Sequence, residues 1–160
     1  MQTETQIAVL VLENIRSAQN VGAIFRTADA IGVQKIYLTG YTPAPIDKFG
    51  RPQKEIAKTA LGAEKTIPWE SAPDTASLVA RLRQDGFFIA AVEKVSGAMD
   101  YKTLEAPGRV AFIFGNEVDG VLLSTLGATD AVVAIPMRGM KESLNVATTA
   151  GIVLFRVLDK

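Results

Sequence analysis

The chain reads as one α/β domain, a parallel sheet with helices on both faces. Three observations predict it. Short unbroken apolar runs, such as residues 7–12 (IAVLVL), have the pattern of strands buried on both sides. Amphipathic stretches with apolar residues three and four apart lie between them. The two kinds alternate from end to end, with no internal repeat, low-complexity tract or linker.

The strand at 7–12 leads to a helix over 19–31, where Val21, Ile24, Ala28 and Ile31 share a face and Gly32 ends the run. Residues 35–39 form a second strand. Residues 40–52 hold three prolines and two glycines and form a long loop. A short helix over 53–61 closes at Gly62, and Pro68-Trp69 is a break. Residues 73–84 form a helix with Leu78, Val79 and Leu82 inward. Residues 87–92 and 110–114 are buried strands on either side of a loop at 96–108. Then come a short helix at 118–126, a strand at 131–135, a polar loop at 138–142 and a last helix at 144–158.

That last helix is apolar nearly all round. Leu144, Thr148, Gly151, Phe155 and Leu158 make one stripe, and Ile152, Val153, Leu154 and Val157 cover much of the rest. Such a helix is buried on more than one side, and a second subunit is expected to cover part of it. Gly151 costs about 1 kcal/mol relative to Ala in mid-helix. Close approach of another backbone would offset that.

Composition narrows the chemistry. The sequence has no Cys and no His. Disulfides, thiolate zinc sites and a cysteine nucleophile are excluded. The commonest general base and metal ligand are also missing, and no metal is expected. Acid–base work falls to carboxylates, Lys, Arg, Tyr or hydroxyls. No apolar run is long enough to span a bilayer, so no membrane partner is expected. Residues 1–6 are polar and too short for a secretory leader, which makes the cytoplasm the default location. Seventeen basic residues balance seventeen acidic ones. The bulk basic charge of a nucleic-acid binder is therefore absent, and an RNA partner would need local clusters or charge gathered by dimerisation.

The first strand–helix junction, Glu13 to Gly22, holds neither G-x-G-x-x-G nor G-x-x-x-x-G-K-[ST]. A dinucleotide-binding domain and an ATPase-type phosphate loop are thus disfavoured, and the glycine-rich first loop of ordinary Rossmann methyltransferases is missing too. Loops rich in polar and small residues follow late strands instead, at 115–120 and 136–145. They point to a site built from the C-terminal half.

Three constellations stand out. The first runs from Asn20 to Asp29 (NVGAIFRTAD). Asn20 sits where a helix N-cap is wanted. Arg26 lies roughly 200° around the helix from Ile24, at about 100° per residue, and points away from the apolar stripe. Alone, it reads as a solvated arginine paired with Asp29. The second is FIFGNEVDG, 112–120, where Gly115 would let a ligand approach the backbone. Alone, it reads as a strand-to-helix turn capped by Asn116, Glu117 and Asp119. The third is IPMRGMKESLNVA, 135–147. Ser143 is a candidate N-cap for the last helix, and Asn145 is a poor helix former in the first turn of an otherwise apolar helix.

Taken together, the three blocks resemble the SPOUT superfamily of methyltransferases, specifically its SpoU (TrmH-like) branch. The pattern N-x-G-x-x-x-R, then F-G-N-E, then I-P-M with S-L-N-V occurs in order, and KEIAKTALGA at 54–63 looks like the segment between the first two motifs. The resemblance covers nearly all of the chain. It departs at Val118, where many members have Gly, and neither the extra RNA-binding domain nor the flanking helices of many relatives are expected here. Residues 1–160 are accordingly expected to be a single methyltransferase domain.

The resemblance implies a C-terminal trefoil knot, an obligate homodimer, and S-adenosyl-L-methionine held bent in the knot. Val92, Glu93, Gly115, Ile135, Met137, Ser143 and Leu144 would hold the cofactor. The implied reaction is methyl transfer to a ribose 2′-OH of tRNA or rRNA. Arg26 would act on the hydroxyl, as base, charge stabiliser or phosphate ligand. Asn20, Glu117, Ser143 and Asn145 would position it and the ribose. Phosphate contacts would come from Arg16, Lys48, Arg51, Lys54, Lys58, Arg138 and Lys141. Two alternatives are a SPOUT enzyme acting on a base nitrogen and a catalytically idle dimer that binds RNA or cofactor.

Overall fold

A computed structural model describes residues 5–159. Met1 to Glu4, most of the stretch read as too short for a leader, lie outside the described residues. Seven strands form one sheet, all paired in parallel: β1 (Ile7–Glu13), β2 (Lys35–Thr39), β3 (Trp69–Ala72), β4 (Phe88–Val92), β5 (Met99–Asp100), β6 (Arg109–Phe114) and β7 (Ala131–Ala134). Their order across the sheet is β3-β2-β1-β6-β4-β7-β5.

The helices are α1 (Ala18–Ile31), α2 (Lys54–Ala60), α3 (Ala63–Thr66), α4 (Thr75–Gln84), α5 (Leu123–Leu126) and α6 (Val146–Leu158). Strand alternation sets the layers. Leu10 and Leu12 of β1 pack with Ile24 and Phe25 of α1, Ile56 of α2 and Val153 and Leu154 of α6. Val9 and Val11 face the other way, onto Leu78, Val79 and Leu82 of α4. Helices therefore cover both faces, as the apolar runs predict. No helix among the described residues is long and apolar enough to cross a membrane.

Several local expectations are corrected. Ser17, not Asn20, caps α1, and its side chain accepts from the Asn20 N–H. The break at Pro68-Trp69 is the entry to β3, whose WESA sequence has no apolar run to reveal it. The 96–108 loop holds the two-residue β5 and a 3₁₀ turn at Tyr101–Thr103. The helix read at 118–126 shrinks to α5 because Asn116 Oδ1 takes the N–H groups of Val118 and Asp119, both at 2.8 Å. A side chain that satisfies these donors locally removes the need for a helical turn. Gly62 opens α3 rather than closing α2.

The last helix also differs. Asn145 caps it, accepting from Ala147 N at 2.9 Å and Thr148 N at 3.2 Å, so Ser143 lies before the helix. Val153, Leu154 and Val157 are buried within this one chain, largely beneath α1 and the sheet. Only Phe155 is a large apolar side chain left substantially exposed on α6, at 41%. A Cβ on Gly151 would meet only the Thr27 methyl, at 4.0 Å. Among the described residues, no backbone from outside its own helix comes within 4 Å of that position.

Candidate functional site

Strand register places the site. Leu12 of β1, Phe114 of β6 and Val92 of β4 align at the carboxyl edge of the sheet, and Val92 aligns with Val133 of β7. The loops after these strands emerge side by side. Between them lies a cleft of about 450 Å³. Small-molecule sites run roughly 300–1,000 Å³, and in open α/β sheets they sit at this edge.

All seven residues expected to hold a cofactor line this cleft: Val92, Glu93, Gly115, Ile135, Met137, Ser143 and Leu144. So do Asn20, Glu117 and Asn145. Three segments distant in sequence are thus brought to one place.

A continuous chain of hydrogen bonds ties them together. Glu117 Oε1 accepts from the Arg16 N–H at 3.0 Å, and Oε2 accepts from the Ser17 N–H at 3.0 Å and from Asn20 Nδ2 at 3.2 Å. Asn20 Oδ1 accepts from Asn145 Nδ2 at 3.1 Å. Asn145 Oδ1 then caps α6. Each amide is fixed in orientation, because its nitrogen faces an acceptor and its oxygen a donor. Partial burial opposes the charge on Glu117, but the backbone N–H groups of Arg16 and Ser17, with the Asn20 amide, outweigh it and hold the carboxyl below the usual glutamate range.

Two of the expected ligands also have structural duties. Glu93 spends its carboxylate on Lys94 N–H at 3.0 Å and Val121 N–H at 2.8 Å, pinning the loop after β6. A Cβ on Gly115 would lie 2.4 Å from Val121 N and 2.5 Å from Gly120 C. The close approach that requires glycine there is by the chain itself, and not by a ligand. Val118 needs no positive φ and stands 82% exposed, so the valine disturbs nothing in the loop.

Arg26 is not brought into the cleft. It is exposed on α1, six residues past Asn20, about 9 Å along the helix at 1.5 Å per residue. Among the described residues it makes no ion pair, and Asp29 instead accepts from Thr66 Oγ1 at 3.4 Å. The predicted Arg26–Asp29 pair is absent. Arg16, Lys48, Arg51, Lys54, Lys58, Arg138 and Lys141 are all exposed. Arg138 and Lys141 lie on the loop that rims the cleft, while Lys48, Arg51, Lys54 and Lys58 gather on the β2–α2 loop and α2.

Sequence reasoning read Asn116 only as a cap and passed over Glu13. Asn116 is buried, with Nδ2 donating to Asn14 O at 2.9 Å and to the Tyr41 hydroxyl at 2.8 Å while Oδ1 takes the two turn N–H groups. Its place inside F-G-N-E was the available signal. Glu13 is 1% exposed and accepts from Leu122 N at 2.8 Å and Thr125 Oγ1 at 2.6 Å, anchoring α5. A lone carboxylate ending an apolar strand could have marked it.

Fold and cleft together define a parallel α/β protein with a cleft at the carboxyl edge of its sheet, assembled by loops after late strands. The chain belongs to the SpoU rRNA Methylase family, whose model matches residues 7–155. It is 36% identical over 146 residues to the 23S rRNA (guanosine-2′-O-)-methyltransferase RlmB of Neisseria meningitidis serogroup B, covering 91% of this chain and 56% of that protein. It is 31% identical over 150 residues to the protein of the same name from Ralstonia nicotianae, covering 94% and 57%. Among solved structures, the AdoMet-bound rRNA methyltransferase from Sinorhizobium meliloti superposes with a TM-score of 0.85 at 30% identity, covering 94% of this chain and 55% of that one. The chain thus spans little more than half the length of these relatives.

Proposed function

We propose that the protein transfers a methyl group from S-adenosyl-L-methionine to a ribose 2′-OH of tRNA or rRNA. The observation that carries this is the meeting of three sequence blocks in one cleft, joined by the Glu117–Asn20–Asn145 chain. The cleft suits the cofactor. Val92, Phe114, Ile135, Met137 and Leu144 give apolar walls for an adenine face, and the strand-end loops offer backbone N–H and C=O groups for its edge. The names of the Neisseria and Ralstonia relatives and the bound AdoMet of the Sinorhizobium protein support the same reading.

When bound, the cofactor supplies an electrophilic methyl group on a sulfonium. The protein's share is position and electrostatics. Holding the 2′-oxygen in line contributes through proximity, up to roughly 7–11 kcal/mol in ideal cases. Both Glu117 oxygens are committed to donors and its carboxyl is acidic, so it fixes Asn20 rather than taking the proton. Ser143 and Asn145 line the cleft, where they would position the ribose. The guanidinium of Arg26 serves developing alkoxide charge or the neighbouring phosphate. It lies outside its own chain's cleft, which favours a homodimer in which a second copy completes the site. Phe155, with the half-buried Ile152 and Leu158, offers apolar surface for that contact. The family's knot would thread the segment bearing the third block, and the cytoplasm is where such RNA is met.

The test supplies tritiated S-adenosyl-L-methionine with total RNA or with DNA of matching sequence. Only RNA should gain label, because the 2′-OH distinguishes the two. Equal labelling of DNA would overturn the reading.

A further inference from the structure

We propose that the β2–α2 loop is a stacking platform for an unpaired base of the RNA, with Phe49 as the ring and Lys48 and Arg51 as its cationic flanks. The inference rests on RNA being the substrate.

Phe49 is 69% exposed, at the tip of a closed turn. Ile46 and Pro52 form an antiparallel bridge beneath it. Asp47 N–H donates to Arg51 O at 2.9 Å, and Gly50 N–H donates to Asp47 O at 3.0 Å. Asp47 Oδ1 accepts from the N–H groups of Phe49 and Arg51, both at 2.9 Å, and Oδ2 accepts from Arg51 Nε at 3.0 Å. The turn is therefore built to hold an aromatic ring largely in water, where burial contributes little to folding. Such preorganisation favours a ligand for the ring.

Two cations flank that ring. Arg51 Cζ lies 5.0 Å and Lys48 Nζ 5.2 Å from its centroid. Arg51 is held by Asp47, whereas Lys48 makes no ion pair among the described residues. A base can displace Lys48 from one ring face, and the freed ammonium can turn to a phosphate. Lys48, Ile46 and Tyr41 line one groove. Tyr41 is 58% exposed, yet its hydroxyl is fixed by Asn116 Nδ2, and Asn116 lines the cleft. The groove thus begins at the turn that bears Phe49, and Tyr41 on its wall is hydrogen-bonded to a residue of the candidate active site. Unpaired nucleotides are the RNA elements that stack on exposed aromatic side chains. A chain of zero net charge also gains most from affinity that does not depend on bulk positive potential.

The test titrates the full chain with a short single-stranded RNA carrying 2-aminopurine and with the same RNA annealed to its complement. Phe49→Ala should weaken single-strand binding by about 5- to 150-fold, the range set by one lost base–aromatic stack. It should leave duplex binding and S-adenosyl-L-methionine affinity unchanged, and Phe49→Trp should keep single-strand binding. Phe49 is the residue to change, because Tyr41→Ala would also strip Asn116 of a partner. Unchanged single-strand affinity in Phe49→Ala overturns the platform and leaves the ring to a protein partner. Full retention by Phe49→Leu also overturns it, because an aliphatic side chain cannot stack. If wild type neither binds nor methylates RNA, the underlying substrate reading fails. If wild type does both and Phe49→Ala is unaffected, only the platform fails.

Discussion

Replacing Glu117 removes the acceptor that joins the loop after β6 to the start of α1. Three donors lose it: the N–H groups of Arg16 and Ser17 and the Asn20 amide. The Arg16 donor is exposed, so water replaces its partner at little cost. The Ser17 and Asn20 donors are part-buried, and hydrogen bonds to a charged group contribute about 1.5–3 kcal/mol each when desolvated. Partial exposure places them at or below the low end. The anion at the α1 N-terminus adds about 0.3–1 kcal/mol. Glu117→Ala should therefore cost about 2–3 kcal/mol. For a domain of this size that is a fall of roughly 4–12 °C in Tm. Glu117→Gln should fall between the two, because one amide oxygen can still serve Ser17 and Asn20 while its NH₂ faces the exposed Arg16 N–H. Calorimetry or thermal circular dichroism measures the series. Equal Tm values for all three proteins would refute the reasoning and make the Glu117 contacts energetically idle.

The same carboxylate sets a pH dependence. Its folded pKa is depressed, so its contribution is full above the usual glutamate value and is lost as pH falls through the lower, folded value. The stability gap between wild type and Glu117→Gln should be constant at neutral pH and narrow on acidification, and denaturant titrations that widen it would contradict this. Arg26→Ala should abolish methyl transfer yet change stability by less than about 0.5 kcal/mol, as expected of an exposed, unpaired side chain; retained transfer would remove Arg26 from the mechanism. Asn145→Asp keeps an oxygen for the α6 cap but loses the donor to Asn20, so Tm should hold while methyl transfer drops, whereas Asn145→Ala should also lose about 1 kcal/mol. Phe155→Glu should shift sedimentation from dimer to monomer and reduce activity together. Val153→Glu or Leu154→Glu should instead unfold the chain, since both side chains are fully buried within it.

The alternation of apolar runs made the parallel sheet legible, because strands buried on both faces carry no polar residues to obscure them. β3 and β5 were not, since WESA and Met99-Asp100 lie at the sheet's two margins and bury little. The cofactor candidates came from motif resemblance and all fall in one cleft. Their physical roles were not readable. Gly115 accommodates Gly120 and Val121, and Glu93 pins backbone, which only the folded loop reveals. The caps were misplaced by two or three positions, since Ser17 and Asn145 serve N–H groups only two and three residues on; what local helix rules cannot express is the Asn20–Asn145 contact. The apolar excess on α6 overstated the surface left for a partner, because α1 and the sheet already bury Val153, Leu154 and Val157.

Methyl transfer to the ribose is tested most directly by mapping the product. RNA labelled with tritiated S-adenosyl-L-methionine is cut with alkali, which needs a free 2′-OH, and the fragments are resolved at the labelled nucleotide. The proposed chemistry predicts that label and resistance to cleavage coincide at one position, and that both vanish with Arg26→Ala. Label on a nucleotide that alkali still cleaves would place the methyl group on a base and contradict the account.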